Sequence, residues 1–376
     1  MREVAGVEPG AEGTAQAQFG LINLLKAGAA QLIVLHHLAF YGPMADVARP
    51  LMPEVIDWLN AHARIAVQVF LVISGFLVAK SLSPEGRSGL SNPLETIWRR
   101  YAKLAPPFLV AMLLATGASA WAGAWMTHDS ISAPPTFPQL SAHALLLHGV
   151  LGYESLSAGA WYVAIDFQLY AAMVVLLWLC GRVAGDRLLP WLMPVVIAGA
   201  VSISLLHFNL DAGWDNWAPY FFGSYGLGIL AWWASAPSRR PGAVVLLVVM
   251  MLVPTLSALV LDFRSRIAVA LAVAWVLFLF GRVDTTDYSG RAWSVVNGLA
   301  RISYSVFLIH FPVCLIVNAA FTRFVPADPH LQAAGMLVAW AASLAVGAAF
   351  FRWVEVPLGR AITFAAERVV MRAMPA

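Results

Sequence analysis

The chain has 376 residues, of which 60% are hydrophobic and only 11% charged, and its formal net charge is +3. Soluble domains carry about 25% charged residues, so the composition excludes a soluble globular protein. The small charge, scattered between apolar runs, likewise argues against a nucleic-acid-binding surface.

The elements follow in chain order. Residues 1–19 hold three glutamates and no apolar core, which excludes a cleavable signal peptide and predicts a disordered N-terminal tail. Crossing about 30 Å of hydrocarbon takes about twenty residues. Ten runs approach or exceed that length, near 22–41, 65–81, 104–125, 161–180, 188–207, 217–234, 241–260, 266–281, 301–320 and 332–353. A shorter apolar stretch at 141–153, SAHALLLHGVLGY, predicts an interfacial or re-entrant piece. The fold class is therefore an all-α integral membrane protein of about ten transmembrane helices. Its single domain covers 20–358, and a cytoplasmic C-terminal tail covers 359–376.

Loop charges orient the bundle, because Lys and Arg concentrate in cytoplasmic loops. With both termini inside, fifteen Lys and Arg fall in cytoplasmic segments, and only Arg49, Arg64, Arg264, Arg266 and Arg323 fall outside. The many tryptophans near span ends, such as Trp121, Trp125, Trp214, Trp217, Trp232 and Trp233, read as an interfacial belt. Cys180 and Cys314 lie inside apolar runs; as isolated buried thiols they build neither a disulfide framework nor a metal site.

Ionisable residues at membrane depth cost about 2.5–3.5 kcal/mol each on insertion scales and usually work in the bundle interior. They are Lys26, His36 and His37 in the first span, Asp166 in the fourth, His310 in the ninth, and Arg352 and Glu355 at the end of the tenth. Eleven residues at 1.5 Å each put His37 roughly 16 Å further outward than Lys26. Asp166 lies in the outer third of its span, so it is expected to share a depth with His37, although a structural pairing with Arg352 is also open. Lys26, Arg352, Glu355 and the cluster WRRYAKLAPP at 98–107 meet at the inner face. Such a cluster binds phosphates or anchors the topology. A neutral imidazole takes a proton from a hydroxyl, and a neighbouring carboxylate fixes its tautomer. Two function classes fit: chemistry on an anionic donor entering from the cytoplasm, or a transporter or flippase using the same groups as a proton relay.

From about residue 20 onward the chain resembles the membrane acyltransferase family 3, bacterial enzymes that move acyl groups, often acetyl, onto hydroxyls of cell-envelope carbohydrates. KAGAAQLIVLHH at 26–37 matches the family's basic residue followed by a catalytic His, which selects His37 over His36. VFLVISGFLVAKSL at 69–82 is similar to the second helix, where Ser74 and Gly75 suit close packing. WRRYAKLAPPF at 98–108 resembles the arginine motif, with Arg100 and Lys103 on its two basic positions. AWYVAIDFQLYAAM at 160–173 places Trp161, Asp166, Gln168 and Tyr170 on family positions. LARISYSVFLIHFPV at 299–313 and FRWVEVPL at 351–358 complete the match. Three departures stand out: Lys26 and Lys103 replace arginines, giving up the planar fork, and Asp166 replaces a glutamate.

The resemblance implies an O-acyltransferase of the bacterial cytoplasmic (inner) membrane, with no permanently bound cofactor or metal and with acyl-coenzyme A, by default acetyl, as the donor. The donor phosphates would meet Lys26, Arg99, Arg100 and Lys103. His37 would act on an acceptor hydroxyl as general base or carry the acyl group transiently, oriented by Asp166. His36, Trp161, Gln168, Tyr170, His310, Arg352 and Glu355 would shape the pockets. The acceptor would be a carbohydrate or glycoconjugate, and a second transfer step would call on a separate extracytoplasmic transferase. Arg100, read as a solvated inner-face charge, would then tolerate reversal to Glu in folding while losing donor affinity.

Overall fold

A computed structural model of the chain describes residues 10–87, 90–183, 189–280 and 290–362. Residues 1–9 of the expected tail, Arg2, Arg187, Arg282, Arg368, Arg372 and everything after 362 lie outside the described residues. Among those described there are helices and no strands. In chain order they are α1 (Gly10–Phe40), α2 (Pro43–Ala48), α3 (Pro53–His62), α4 (Ala66–Leu82), α5 (Pro93–Gly123), α6 (Phe137–Ala144), α7 (Ala160–Val183), α8 (Leu189–Leu206), α9 (Ala218–Ala234), α10 (Pro241–Leu261), α11 (Ser265–Phe280), α12 (Arg291–Phe324) and α13 (Pro329–Phe350), with a π turn at Phe351–Glu355.

Each of the ten expected runs coincides with a long helix. Eight helical stretches are long and apolar enough to cross a membrane; α9 and α11 are apolar but shorter, at 17 and 16 residues. Helix starts carry recognisable caps. The Asn92 side chain accepts from the Glu95 amide ahead of Pro93, and Asp328 accepts from the amides of His330 and Leu331 ahead of Pro329, satisfying donors that a helix start leaves open.

Helix directions agree with alternating crossings. α1 and α12, first and ninth of the ten, run parallel: Asn23 bonds Asn297 at 2.9 Å, His37 bonds His310, and the Met44 amide donates to Asn318. α4 and α9, second and sixth, are also parallel, with Ser224 donating to Gln68 at one end and Trp233 donating to the Ser83 carbonyl at the other. α12 and α13 are antiparallel, with Val306 against Gly347 and Phe321 against Gly335.

α9 is buried along almost its whole length, which explains why its sequence is apolar all round. It meets α4 backbone to backbone. A Cβ on Gly75 would lie 1.9 Å from the Tyr225 carbonyl oxygen, and one on Gly228 would lie 2.0 Å from that of Val72. Only glycine allows this approach, and the close-packing role expected for Gly75 is met. The belt reading fails for Trp233, which is fully buried and clamps the end of α4.

The segment before α7 folds back into the bundle. The Tyr101 hydroxyl donates to the Ala144 carbonyl at 2.7 Å, Gln168 donates to the Leu146 carbonyl at 2.9 Å, and Gly159 sits against Phe307. The stretch 141–153 is thus a re-entrant piece rather than a surface one, and α7 starts beside the middle of α12.

Candidate active site

Consecutive helical residues project about 100° apart, so the two neighbouring imidazoles of α1 face different helices. His36 Nδ1 lies 2.9 Å from the Leu59 carbonyl oxygen. A carbonyl only accepts, so His36 donates and ties α1 to α3. His37 turns to α12, where its Nδ1 lies 2.6 Å from His310 Nε2 and the two rings stack within 6°.

The tautomers follow from the far end of this chain. His310 Nδ1 lies 3.0 Å from the Val306 carbonyl, so Nδ1 carries the proton and Nε2 of a neutral His310 accepts. His37 Nδ1 therefore donates, which leaves His37 Nε2 with its lone pair. The pair is buried, at 6% and 0% exposure, and Phe307 and Tyr41 rings lie beside it. This is a base held in one tautomer by a backbone carbonyl acting through a second histidine.

That arrangement corrects the expected role of Asp166. Its Oδ2 accepts from Arg100 at 2.8 Å, and the orienting partner of His37 is His310. The cause is the re-entrant segment: α7 begins beside Phe307, and six further residues carry Asp166 about 9 Å along its axis, to the level of the arginine motif. Arg100 is correspondingly not a solvated loop charge. Its guanidinium lies 5.2 Å from the Tyr170 ring, and Arg100 Nε and Asp166 Oδ1 are buried with no protein partner. Each such orphaned atom costs about 1–3 kcal/mol unless a bound group satisfies it.

Around this pair part of the expected inner basic cluster assembles. The charges of Glu355, Arg100 and Lys103 all act on Lys26, and those of Lys103 and Lys26 act on Glu355. Ser305 of α12 donates to Glu355, which the π turn carries inward; π turns recur at functional sites. Arg352, on the same turn, is exposed. Arg99 also points away, exposed and paired with Glu95 one turn earlier at 2.5 Å, so it does not join Lys26, Arg100 and Lys103. Gln168 holds the re-entrant segment.

Trp161 lies elsewhere. It lines a cavity of about 600 Å³ where α4, α7, α9 and α11 begin, together with Arg64, Gln68, Phe221 and Arg266. Sequence reasoning missed Ser305, Tyr162, Tyr225 and Arg64, because neutral hydroxyls in apolar helices and a loop arginine carry no periodic signal. Tyr162 bonds Ser74, and both tyrosines are buried within range of the Arg100 and Asp166 charges.

The fold is a helical membrane bundle whose interior holds a buried, tautomer-fixed imidazole, with Lys26 of the basic cluster about three helical turns along α1 from it. Residues 20–352 match the model of the acyltransferase domain of acyltransferase family 3, and the chain belongs to that family. It is a membrane acyltransferase. Comparison with curated proteins and with solved structures gave no match.

Proposed function

We propose that the protein transfers an acyl group, acetyl by default, from acyl-coenzyme A to a hydroxyl of a carbohydrate or glycoconjugate. The setting is the bacterial cytoplasmic membrane, with both termini in the cytoplasm. The observation that carries the reading is the free Nε2 of His37, set roughly 16 Å along α1 from Lys26, a distance an extended pantetheine arm covers. The donor phosphates meet Lys26, Arg100 and Lys103, and the unpartnered Arg100 Nε supports a contact of that kind. The acyl end then reaches the level of His37.

His37 Nε2 takes the acceptor hydroxyl proton as the oxygen attacks the thioester carbonyl. The C–S bond breaks, an ester C–O bond has formed, and the proton passes from His37 to the departing thiolate, releasing coenzyme A as the thiol. His310 holds the ring through both proton transfers. Asp166 positions Arg100, and Glu355 offsets the charges of Lys26 and Lys103.

The test is release of coenzyme A from acetyl-coenzyme A by detergent-purified protein with an envelope-glycan extract. Wild type is compared with His37→Ala and His36→Ala. Release lost only in His37→Ala is expected. Release that survives in His37→Ala refutes the assignment of the base, and none from folded wild type with varied donors refutes the donor.

A further inference from the structure

The outer arginines are unevenly placed. Only five Lys or Arg residues fall at the end of the bundle opposite the basic cluster, and three of them, Arg64, Arg264 and Arg266, line the cavity of about 600 Å³ described above. That volume is in the range of small-molecule sites. Arg264 is neutralised by Asp262 at 2.5 Å. Arg266 donates to the neutral Asn209 and lies 4.7 Å from the Tyr220 ring, so its charge is not compensated there. Among the described residues Asp215 is the only carboxylate lining the cavity.

Four helices begin at this cavity, and their N-terminal amides add positive potential. Its wall includes Trp161 and Phe221, whose rings lie 5.5 Å apart; aromatic faces of this kind stack on the C–H faces of sugar rings. Its floor adjoins a void of about 10 Å³ that shares Trp161, Asp215 and Asn216 with it and is lined by His148. His148 is fully buried, and neither ring nitrogen has a protein partner. The cavity lies on the side of the chemistry: ring contacts run from Trp161 on its wall through Tyr162 and Phe307 to His310.

We infer that this cavity is the acceptor subsite and that it selects a saccharide bearing an acidic group, with Arg64 and Arg266 holding the carboxylate or phosphate and Trp161 and Phe221 the ring. The inference rests on the acyl-transfer reading and adds the charge of the acceptor. Arg64 sets the sugar's orientation toward His37, and Gln68 offers a bond to its hydroxyls.

Calorimetric titration of the protein in zwitterionic nanodiscs tests this, with digalacturonate and digalactoside as probes. A charge-assisted bond gives about tenfold or more in favour of digalacturonate, reduced by salt, removed in Arg64→Gln and kept in Arg64→Lys. Arg64 is exposed, so both variants are expected to fold. Equal affinities, no binding of either probe, or a preference unaltered in Arg64→Gln overturns the inference. Displacement of digalacturonate when phosphatidylglycerol is added to the nanodiscs also overturns it, assigning the arginines to a lipid headgroup. Coenzyme A release separates the two readings. Release with a neutral acceptor and no acid preference removes this inference alone. Acid-selective binding without release from any thioester donor removes the proposed thioester donor and leaves the site.

Discussion

Replacing His310 by Leu leaves His37 Nδ1–H without its acceptor in a buried site. An unsatisfied buried donor costs about 1–3 kcal/mol, and the imidazole is then free to turn or to exchange tautomers, which presents Nε2 protonated and useless as a base. At 1.4 kcal/mol per factor of ten, kcat should fall by about 10- to 100-fold. KM for the acyl donor should stay unchanged, because the basic cluster lies roughly 16 Å away along α1. His310→Gln keeps a carbonyl oxygen able to accept from His37 and should stay within about fivefold of wild type, since a neutral bond of similar strength is re-formed. The assay is coenzyme A release by detergent-purified protein at varied acetyl-coenzyme A, beside a thermal melt to count folded molecules. Near-wild-type kcat in His310→Leu, or equal loss in Leu and Gln variants, would refute the relay.

His36→Phe removes the bond to the Leu59 carbonyl; the melting temperature should drop by an amount corresponding to about 1 kcal/mol, with release per folded molecule unchanged, and a selective loss of activity would contradict the structural role. Arg100→Gln leaves Asp166 buried and unpaired, at a cost of about 3–5 kcal/mol. Folded yield should therefore collapse and recover in the Arg100→Gln, Asp166→Asn double variant, while donor affinity measured by titration stays low; normal donor affinity in the double variant would rule out the phosphate contact. Arg99→Gln should alter neither quantity. Burial, with His143 stacked on it, pushes the His148 imidazole down to about 3 from an ordinary 6.5. Between those values the unfolded chain binds the extra proton, so stability falls on acidification from about pH 6.5 toward 3, by up to about 1.4 kcal/mol per pH unit. His148→Phe keeps a ring against His143 and should lessen the melting temperature's dependence on pH between 7 and 5; an unchanged slope would place the proton elsewhere.

Ten long helices and Lys26 and His37 as the ends of one helical ruler were legible in the sequence, because each depends on local facts: run length and a rise of 1.5 Å per residue. Gly75 was legible for the same kind of reason, since a glycine in an apolar helix implies close approach even when its partner is unknown. The partners themselves were not. His37 and His310 are 273 positions apart and Ser305 and Glu355 are 50 apart, and pairing at that separation is decided by how helices pack. The depth of Asp166 was misjudged because depth was counted from the start of its helix. The re-entrant segment lowers that start by satisfying its own backbone groups inside the protein, which only tertiary structure permits in a bilayer. The sequence determined which groups are costly to bury; the fold decided which of them meet, because a buried charge or imidazole is stable only where a particular neighbour answers its hydrogen bonds.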